Sequence, residues 1–376
     1  MLLRSTKEYV KNFDIQPLCG AELGDVARFL HQLDSYRGHG SSSPGTLPED
    51  LPSTRQRLEW LLTENPLAGA SARHGLCVRD AAGALMGLLL AFPGAFLAGE
   101  QRLLGLGSGS FFVEPRARAL GFYLFRRYLS SPGYSFFFST TCNANSAPLW
   151  EAVGARAVPK SDMEYILPLK LEVMLPAFLS RRTSNAFAAR AARVFGRAAN
   201  PVLHLLARKP VDLIVEPCRD WGKLAELFRR QRDRASITTD RSTAYLAWRY
   251  GPGAHNGPFD ICVFRDQAGH EGWFVLGNVL RGRQKRIRGC VLLDATWPRS
   301  HMSFRDILPA IIQVAETKAD AIFIQPRPHL DDDECSRWII PCRLEAPKIL
   351  AVTPRDGAPV PLSALDLVPA DGDGAL

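Results

Sequence analysis

Residues 111–123 read Phe111-Phe-Val-Glu-Pro-Arg-Ala-Arg-Ala-Leu-Gly-Phe-Tyr123. The run opens as a strand that Pro115 ends, and a helix is predicted over 121–129 after a short turn. Backbone N–H groups at a helix N-terminus are unpaired and sit at the positive end of the helix dipole, so a strand–turn–helix of this form can hold phosphate oxygens. Small residues matter there, because a bulky side chain keeps an anion off the backbone. Arg116 and Arg118 can add charge-assisted hydrogen bonds. A strand, a turn, two arginines and one glycine are a common combination, so the surrounding sequence decides the reading.

Upstream, a strand is expected at 13–18, a helix at 21–33 and a helix at 54–62, with a Gly/Ser/Pro-rich loop at 38–52 between the helices. Two apolar runs, 75–79 and 84–92, flank Asp80-Ala-Ala-Gly83, which is a hairpin signal. A further strand follows at 102–113, where glycines at 105, 107 and 109 imply a bulge or a close backbone approach. Downstream come a strand at 134–140, a helix at 146–153 and a last strand at 163–167. This alternation predicts an α/β (α+β) domain with a mixed sheet and helices against it.

In that setting, residues 111–123 resemble the coenzyme-A-binding core of the GNAT acetyltransferase superfamily. There a strand ending V-(D/E)-P is followed by R-x-x-G-x-(G/A) and a helix. Val113-Glu114-Pro115 matches, with Arg118 and Gly121 at the following positions and Tyr123 departing from the last small residue. A second register, Arg116-x-x-Ala119-x-Gly121, keeps both small positions but shortens the turn. The family's next motif, N-x-x-(A/S)-x-x-L-(Y)-x-x-x-G-F, finds Asn143, Ser146, Leu149, Trp150, Gly154 and Ala155 in place. The resemblance covers roughly residues 13–167.

The resemblance implies acyl transfer from acetyl-CoA or another acyl-CoA, with no metal. The pyrophosphate would rest on Arg118, Ala119, Leu120, Gly121, Phe122 and Tyr123. Amides around Phe111, Phe112 and Val113 would pair with the pantetheine arm and polarise the thioester carbonyl. Asn143 would bond to the arm or cap the following helix. Many relatives have a tyrosine general acid where this chain has Trp150, and an indole N–H cannot serve as one at neutral pH. The strand 103–113 carries no carboxylate, so no base is assigned, and Glu100, His74, Tyr123 and Tyr128 are unplaced candidates. Glu114 reads as structural.

The second half repeats the element order more loosely, with strands expected at 213–217, 259–264, 272–279, 289–295 and 321–325 and helices at 221–232 and 304–317. Tyr245-Leu-Ala-Trp-Arg-Tyr250 resembles a motif in the C-terminal half of bacterial tandem GNAT-like proteins, some linked to surface polysaccharide or lipid modification. After Asp294 comes Ala-Thr-Trp-Pro-Arg-Ser-His-Met, with no glycine turn, so this half is expected to be a degenerate copy. Trp248 and Arg249 would line an acceptor cleft or buttress the fold. The basic run 281–288 reads as a solvated hairpin tip. His301 and His329 lack the sequence partners of a triad or metal site.

The expected organisation is a GNAT acyl-CoA-binding domain at 1–170, a basic helical linker at 171–210, a degenerate GNAT-like domain at 211–369 and a disordered tail at 370–376. Between Glu172 and Asp212 there is no carboxylate, while Arg181, Arg182, Arg190, Arg193, Arg197, Arg208 and Lys209 fall there. The plain reading is a solvated connector, and the alternative is a peripheral helix touching anionic lipid.

The chain of 376 residues has a formal net charge of +8, which favours anionic partners without choosing among them. Its eight cysteines are dispersed, with no CxxC pair or zinc spacing. The N-terminus turns polar after three residues, so no signal peptide is expected and a cytoplasmic location is. The acceptor is a small molecule or a glycan, and nucleic acid is not the expected partner. Two other classes compete: aminoacyl or peptidyl transfer from charged tRNA on a tandem GNAT scaffold, and a non-catalytic binding module.

Overall fold

The computed structural model describes residues 13–36, 50–69, 74–180, 185–207, 213–255, 257–282, 286–327, 339–354 and 360–372. The strands are β1 (Phe13–Pro17), β2 (Gly75–Asp80), β3 (Leu85–Ala98), β4 (Gln101–Val113), β5 (Phe136–Ser139), β6 (Arg156–Ala157), β7 (Met163–Pro168), β8 (Ile214–Pro217), β9 (Ile237–Thr239), β10 (Asp260–Arg265), β11 (Glu271–Arg281), β12 (Ile287–Thr296), β13 (Ala321–Ile324), β14 (Ile340–Arg343), β15 (Leu350–Val352) and β16 (Leu365–Asp366). The α-helices are α1 (Leu23–Tyr36), α2 (Leu51–Leu62), α3 (Gly121–Leu129), α4 (Ala147–Ala152), α5 (Leu171–Leu179), α6 (Ala186–Ala207), α7 (Trp221–Gln231), α8 (Thr243–Tyr250) and α9 (Phe304–Ala315). The loop expected at 38–52 falls mostly outside the described residues, and its last two positions begin α2.

The chain divides into two compact units. Unit one holds a mixed sheet ordered β1-β2-β3-β4-β5-β15-β6, with β9 beside the far end of β3 and β16 beside β9. Unit two holds a sheet ordered β14-β7-β13-β12-β11-β10-β8. Read from β1 and from β8, the two have the same pairing pattern. Three antiparallel pairs lead to one parallel pair, β4–β5 or β12–β13, and two antiparallel pairs complete the sheet.

The strand expected to finish the first sheet, at 163–167, forms as β7 but pairs with β13 and β14 in the second sheet. Its place beside β5 is taken by β15, from near the C-terminus. The period-two pattern of a strand specifies which face is buried, not which sheet receives it. The tail expectation also needs correction: Ala370 and Asp371 are buried within unit one, and 373–376 lie outside the described residues. β16, which ends four residues before the expected start of the tail at 370, anchors the segment by parallel pairing with β9.

In unit one, α3 turns Leu124, Phe125 and Tyr128 into the core and leaves Arg126 and Arg127 exposed, the amphipathic spacing of a packed helix. These side chains meet Leu106, Phe137 and Trp150 in one cluster. The glycines of β4 have a packing reason as well: a Cβ at Gly105 would lie 2.7 Å from the Phe96 ring, and one at Gly107 would collide with Phe92. No described helix is long and apolar enough to cross a membrane.

Candidate functional site: the open end of strands β4 and β5

Parallel strands β4 and β5 pair from Gly105↔Phe136 to Ser108↔Ser139, and the ladder stops there. On its other edge β4 continues along β3, with Leu90↔Gly109 and then Leu88↔Phe112, so two residues, Ser110 and Phe111, face the single residue Leu89. This is a β-bulge, and Ser110 adopts φ 45°, in the left-handed region. A bulge bends its strand and raises the local twist, so residues 109–113 leave β5 and their outer edge has no ladder partner. The interval beyond Ser108 and Ser139, where the ladder has ended and β4 runs on to Val113, is termed the wedge.

The turn expected to hold phosphate follows β4 directly, in a modified form. A 3-10 turn covers Pro115–Leu120 and continues without a break into α3. The Ala117 amide donates to the Glu114 carbonyl at 2.9 Å, and the Gly121 amide donates to the Arg118 carbonyl. The helical N-terminus thus lies at Pro115, earlier than the sequence suggested. Pro115 suits a first helical position, since it fixes φ and has no amide to leave unpaired.

Gly121 has ordinary helical dihedrals, φ −55° and ψ −41°. Gly121 is buried, and a Cβ added there would sit 3.5 Å from Phe111 Cζ and 3.6 Å from Val113 Cγ2, so it packs against the end of β4. The structure therefore brings Phe111, Val113 and Gly121 together. Phe111, Phe112 and Val113 are half-buried, Arg118 and Ala119 are exposed, and Leu120 is in the core. Phe122 and Tyr123 are 43% and 46% exposed, large for aromatic side chains on a packed helix. Glu114 pairs with Arg116 at 3.0 Å and donates its amide to Met86, a structural role.

Asn143 stands in the turn ahead of α4. Its Oδ1 accepts from the amides of Asn145 at 2.9 Å and Ser146 at 3.2 Å, and its own amide donates to Ser146 Oγ at 3.0 Å. The sequence reading passed over Thr140, the first residue beyond β5. It is 1% exposed, its Oγ1 has no hydrogen-bond partner, and the backbone at Gly372 packs against it. Only the polar residue type could have drawn attention to it.

The candidate acids and bases separate clearly. Tyr128 is buried and donates to the Leu106 carbonyl at 2.5 Å, and burial pushes its phenol well above its ordinary pKa. It clips the β4–β5 pair and exchanges no proton near neutrality. Trp150 is core, edge-on to Phe125 at 4.9 Å between ring centroids. Glu100 pairs with Arg234 at the β3–β4 turn, eleven residues and about 35 Å along the strand from Phe111. His74 stands at the head of β2 against Gly20, and burial lowers its pKa, so its imidazole is neutral at pH 7.

In unit two the corresponding parallel pair stops at Leu292↔Ile324, beside another irregularity at Val275/Leu276. Here the strand end carries Asp294, buried between Arg241 Nε at 2.9 Å and Arg327 at 2.7 Å, with the Tyr250 hydroxyl at 3.4 Å. Burial opposes the charge, but the two guanidiniums outweigh it and hold the carboxyl below the usual range. Leu246, Arg249 and Tyr250 of the α8 motif are buried, and Arg249 lies over the Trp248 ring at 5.7 Å. His301 stacks on His270 at 4.1 Å, and His329 lies outside the described residues. Among the described residues no group of His, Cys, Asp and Glu could hold a metal ion.

No protein-family model matches the chain, and no curated protein sequence matches it. Solved structures do resemble it. A protein of unknown function from Enterococcus faecalis V583, described as a probable N-acyltransferase, superposes with TM-score 0.53 at 11% identity, covering 91% of this chain and 72% of that one. A GCN5-related N-acetyltransferase from Anabaena variabilis gives 0.54 at 10% identity, with 90% and 72% covered. Saccharomyces cerevisiae N-myristoyltransferase, solved with myristoyl-CoA bound, gives 0.53 at 11% identity, with 97% and 85% covered. Two mixed sheets flanked by helices, in this chain, therefore form a GNAT-like fold.

Proposed function

We propose that unit one binds an acyl-CoA in the β4–β5 wedge and transfers the acyl group to an amine or hydroxyl acceptor, on a tandem GNAT scaffold. The observation that carries this reading is the wedge itself. The bulge at Ser110 frees one edge of β4 beside a helical turn carrying an exposed arginine. The edge of Phe111, Phe112 and Val113 offers backbone groups to the amides of a pantetheine arm. Arg118, with the turn from Ala119 through Leu120, Gly121 and Phe122 to Tyr123, faces the pyrophosphate. Because the Gly121 amide is engaged with Arg118 in the structure, phosphate binding would share or open that 3-10 bond. Asn143 has its Oδ1 committed to the turn ahead of α4, which leaves Nδ2 for the arm. The solved fold neighbours support acyl transfer as the reaction class.

In the transfer, the acceptor nitrogen or oxygen forms a bond to the thioester carbon, the C–S bond breaks, and the acceptor's proton passes, directly or through water, to the departing thiolate, which leaves as the free thiol. Polarisation of the carbonyl falls to the strand edge. A deprotonated amine held against the thioester needs little besides proximity, so Trp150 in the core is no obstacle. The acceptor class of a surface polysaccharide or lipid precursor follows from the resemblance of residues 245–250. Unit two contributes no second coenzyme site, because Asp294 and its two arginines stand at the end of its parallel pair.

Calorimetric titration with acetyl-CoA tests the reading. Micromolar binding of one equivalent is expected, and Gly121→Glu, which aims a carboxylate at the end of β4, should abolish it. Absence of binding at millimolar coenzyme would sink the proposal, and salt-dependent affinity for tRNA in its place would favour aminoacyl transfer.

A further inference from the structure

Helices α5 and α6 pack together through the wrong side chains for an ordinary soluble pair. α6 turns Ala188, Ala189, Ala192, Gly196 and Ala199 inward. At Gly196 the approach is so close that a Cβ would lie 2.5 Å from the Leu171 carbonyl carbon and the Glu172 amide nitrogen. Asn200 locks the contact by accepting from the Leu171 amide at 2.8 Å and donating to Glu172. Soluble helices bury their large apolar residues and expose small or polar ones. Among the described side chains of α6 the large apolar ones are outside: Phe187 is 79% exposed, Val194 68% and Phe195 68%.

The exposed apolar residues are not scattered. At 100° per residue, Phe187, Ala191, Val194, Phe195 and Ala198 fall within an arc of about 100°. Arg190, Arg193 and Arg197 occupy the adjoining arc, all exposed and without an ion pair to any described residue. No carboxylate interrupts the sequence between Glu172 and Asp212. An apolar stripe bordered by arginines, with no acid, is the surface that lies in the interface of an anionic bilayer, where rings enter the acyl boundary and guanidiniums reach the phosphates.

We propose that the exposed face of α6 is a peripheral docking surface for an anionic lipid bilayer. A second copy of the chain fits the face less well, since a symmetric contact would bring two rows of arginine together with no acid between them. The inference is independent of acyl transfer: a protein that never binds coenzyme A would still carry this face.

Co-sedimentation of the full chain with vesicles tests it. Vesicles of phosphatidylcholine with one-third phosphatidylglycerol should pull the protein down at low salt, and pure phosphatidylcholine should not. Each arginine near an anionic surface contributes about fivefold in binding, so replacing Arg190, Arg193 and Arg197 with Gln should weaken it about a hundredfold. Phe187→Ala with Phe195→Ala should weaken binding without changing its salt dependence. All five positions are exposed, so thermal melts of the variants should match the parent. Equal sedimentation with both vesicle types would overturn the proposal. So would a concentration-dependent dimer in analytical ultracentrifugation that the two Phe→Ala changes abolish.

Discussion

Replacing Gly121 by alanine separates a structural role of this glycine from a ligand-binding one. The backbone there is right-handed helical, so alanine needs no change of dihedral angles. The added methyl would meet Phe111 and Val113 at 3.5 and 3.6 Å, ordinary van der Waals contact. Alanine is favoured over glycine in a helix by about 1 kcal/mol. Gly121→Ala should therefore stabilise unit one by up to about 1 kcal/mol, a rise of about 2–4 °C in its melting transition. On the proposed placement of the pyrophosphate, the same methyl would crowd the approach to the Gly121 amide. Loss of one hydrogen bond to a charged ligand costs about 1.5–3 kcal/mol, or roughly 10- to 150-fold in Kd. Calorimetric stability and acetyl-CoA titration on the same preparation read both effects. A more stable variant that binds acetyl-CoA with unchanged affinity would refute the placement of the pyrophosphate, and a less stable one would refute the packing described for Gly121.

Further outcomes follow from the other named groups. Asp294→Asn leaves Arg241 and Arg327 without their buried partner and should cost about 3–5 kcal/mol, read by denaturant unfolding. Because the folded pKa of Asp294 is depressed below its unfolded value near 3.9, its contribution is complete well above that pH. It is lost as pH falls below about 4 toward the folded pKa, so the variant's stability should show a smaller acid limb between pH 5 and 2 than the parent's. Tyr128→Phe strands the Leu106 carbonyl and should cost about 1–3 kcal/mol, while the pH–rate profile of acyl transfer stays where it was; a moved profile would return Tyr128 to the list of proton donors. Thr140→Val removes a buried hydroxyl that makes no hydrogen bond, so stability should hold or rise slightly, and a fall in acyl-transfer rate without a fall in stability would place Thr140 in the site.

The local elements were legible because their signals are local. Asp80-Ala-Ala-Gly83 marks its hairpin, Pro115 ends its strand, and the apolar spacing of Leu124, Phe125 and Tyr128 gives α3 its bounds. What the sequence concealed depends on partners far along the chain. β7 and β15 are each too short and too ordinary to declare a sheet, and β9 and β16 have three and two residues. The bulge fell on Ser110 and not on one of the glycines around it, because Gly105 and Gly107 are taken up by the Phe92 and Phe96 rings. Thr140 escaped notice because its isolation is a property of the packing at Gly372, more than two hundred residues away. The segment 111–123 was legible as a strand, a turn and a helix, but the 3-10 form of its turn was not, since sequence does not separate a tight helical turn from an open one.

The central claim is that a single coenzyme site lies where β4 leaves β5. Amide hydrogen exchange with and without saturating acetyl-CoA tests it most directly. Slowed exchange is expected at residues 109–123 and 140–146 of unit one alone, with residues 293–302 of unit two unchanged. Protection at 293–302, or none at 109–123 despite measurable binding, would contradict it.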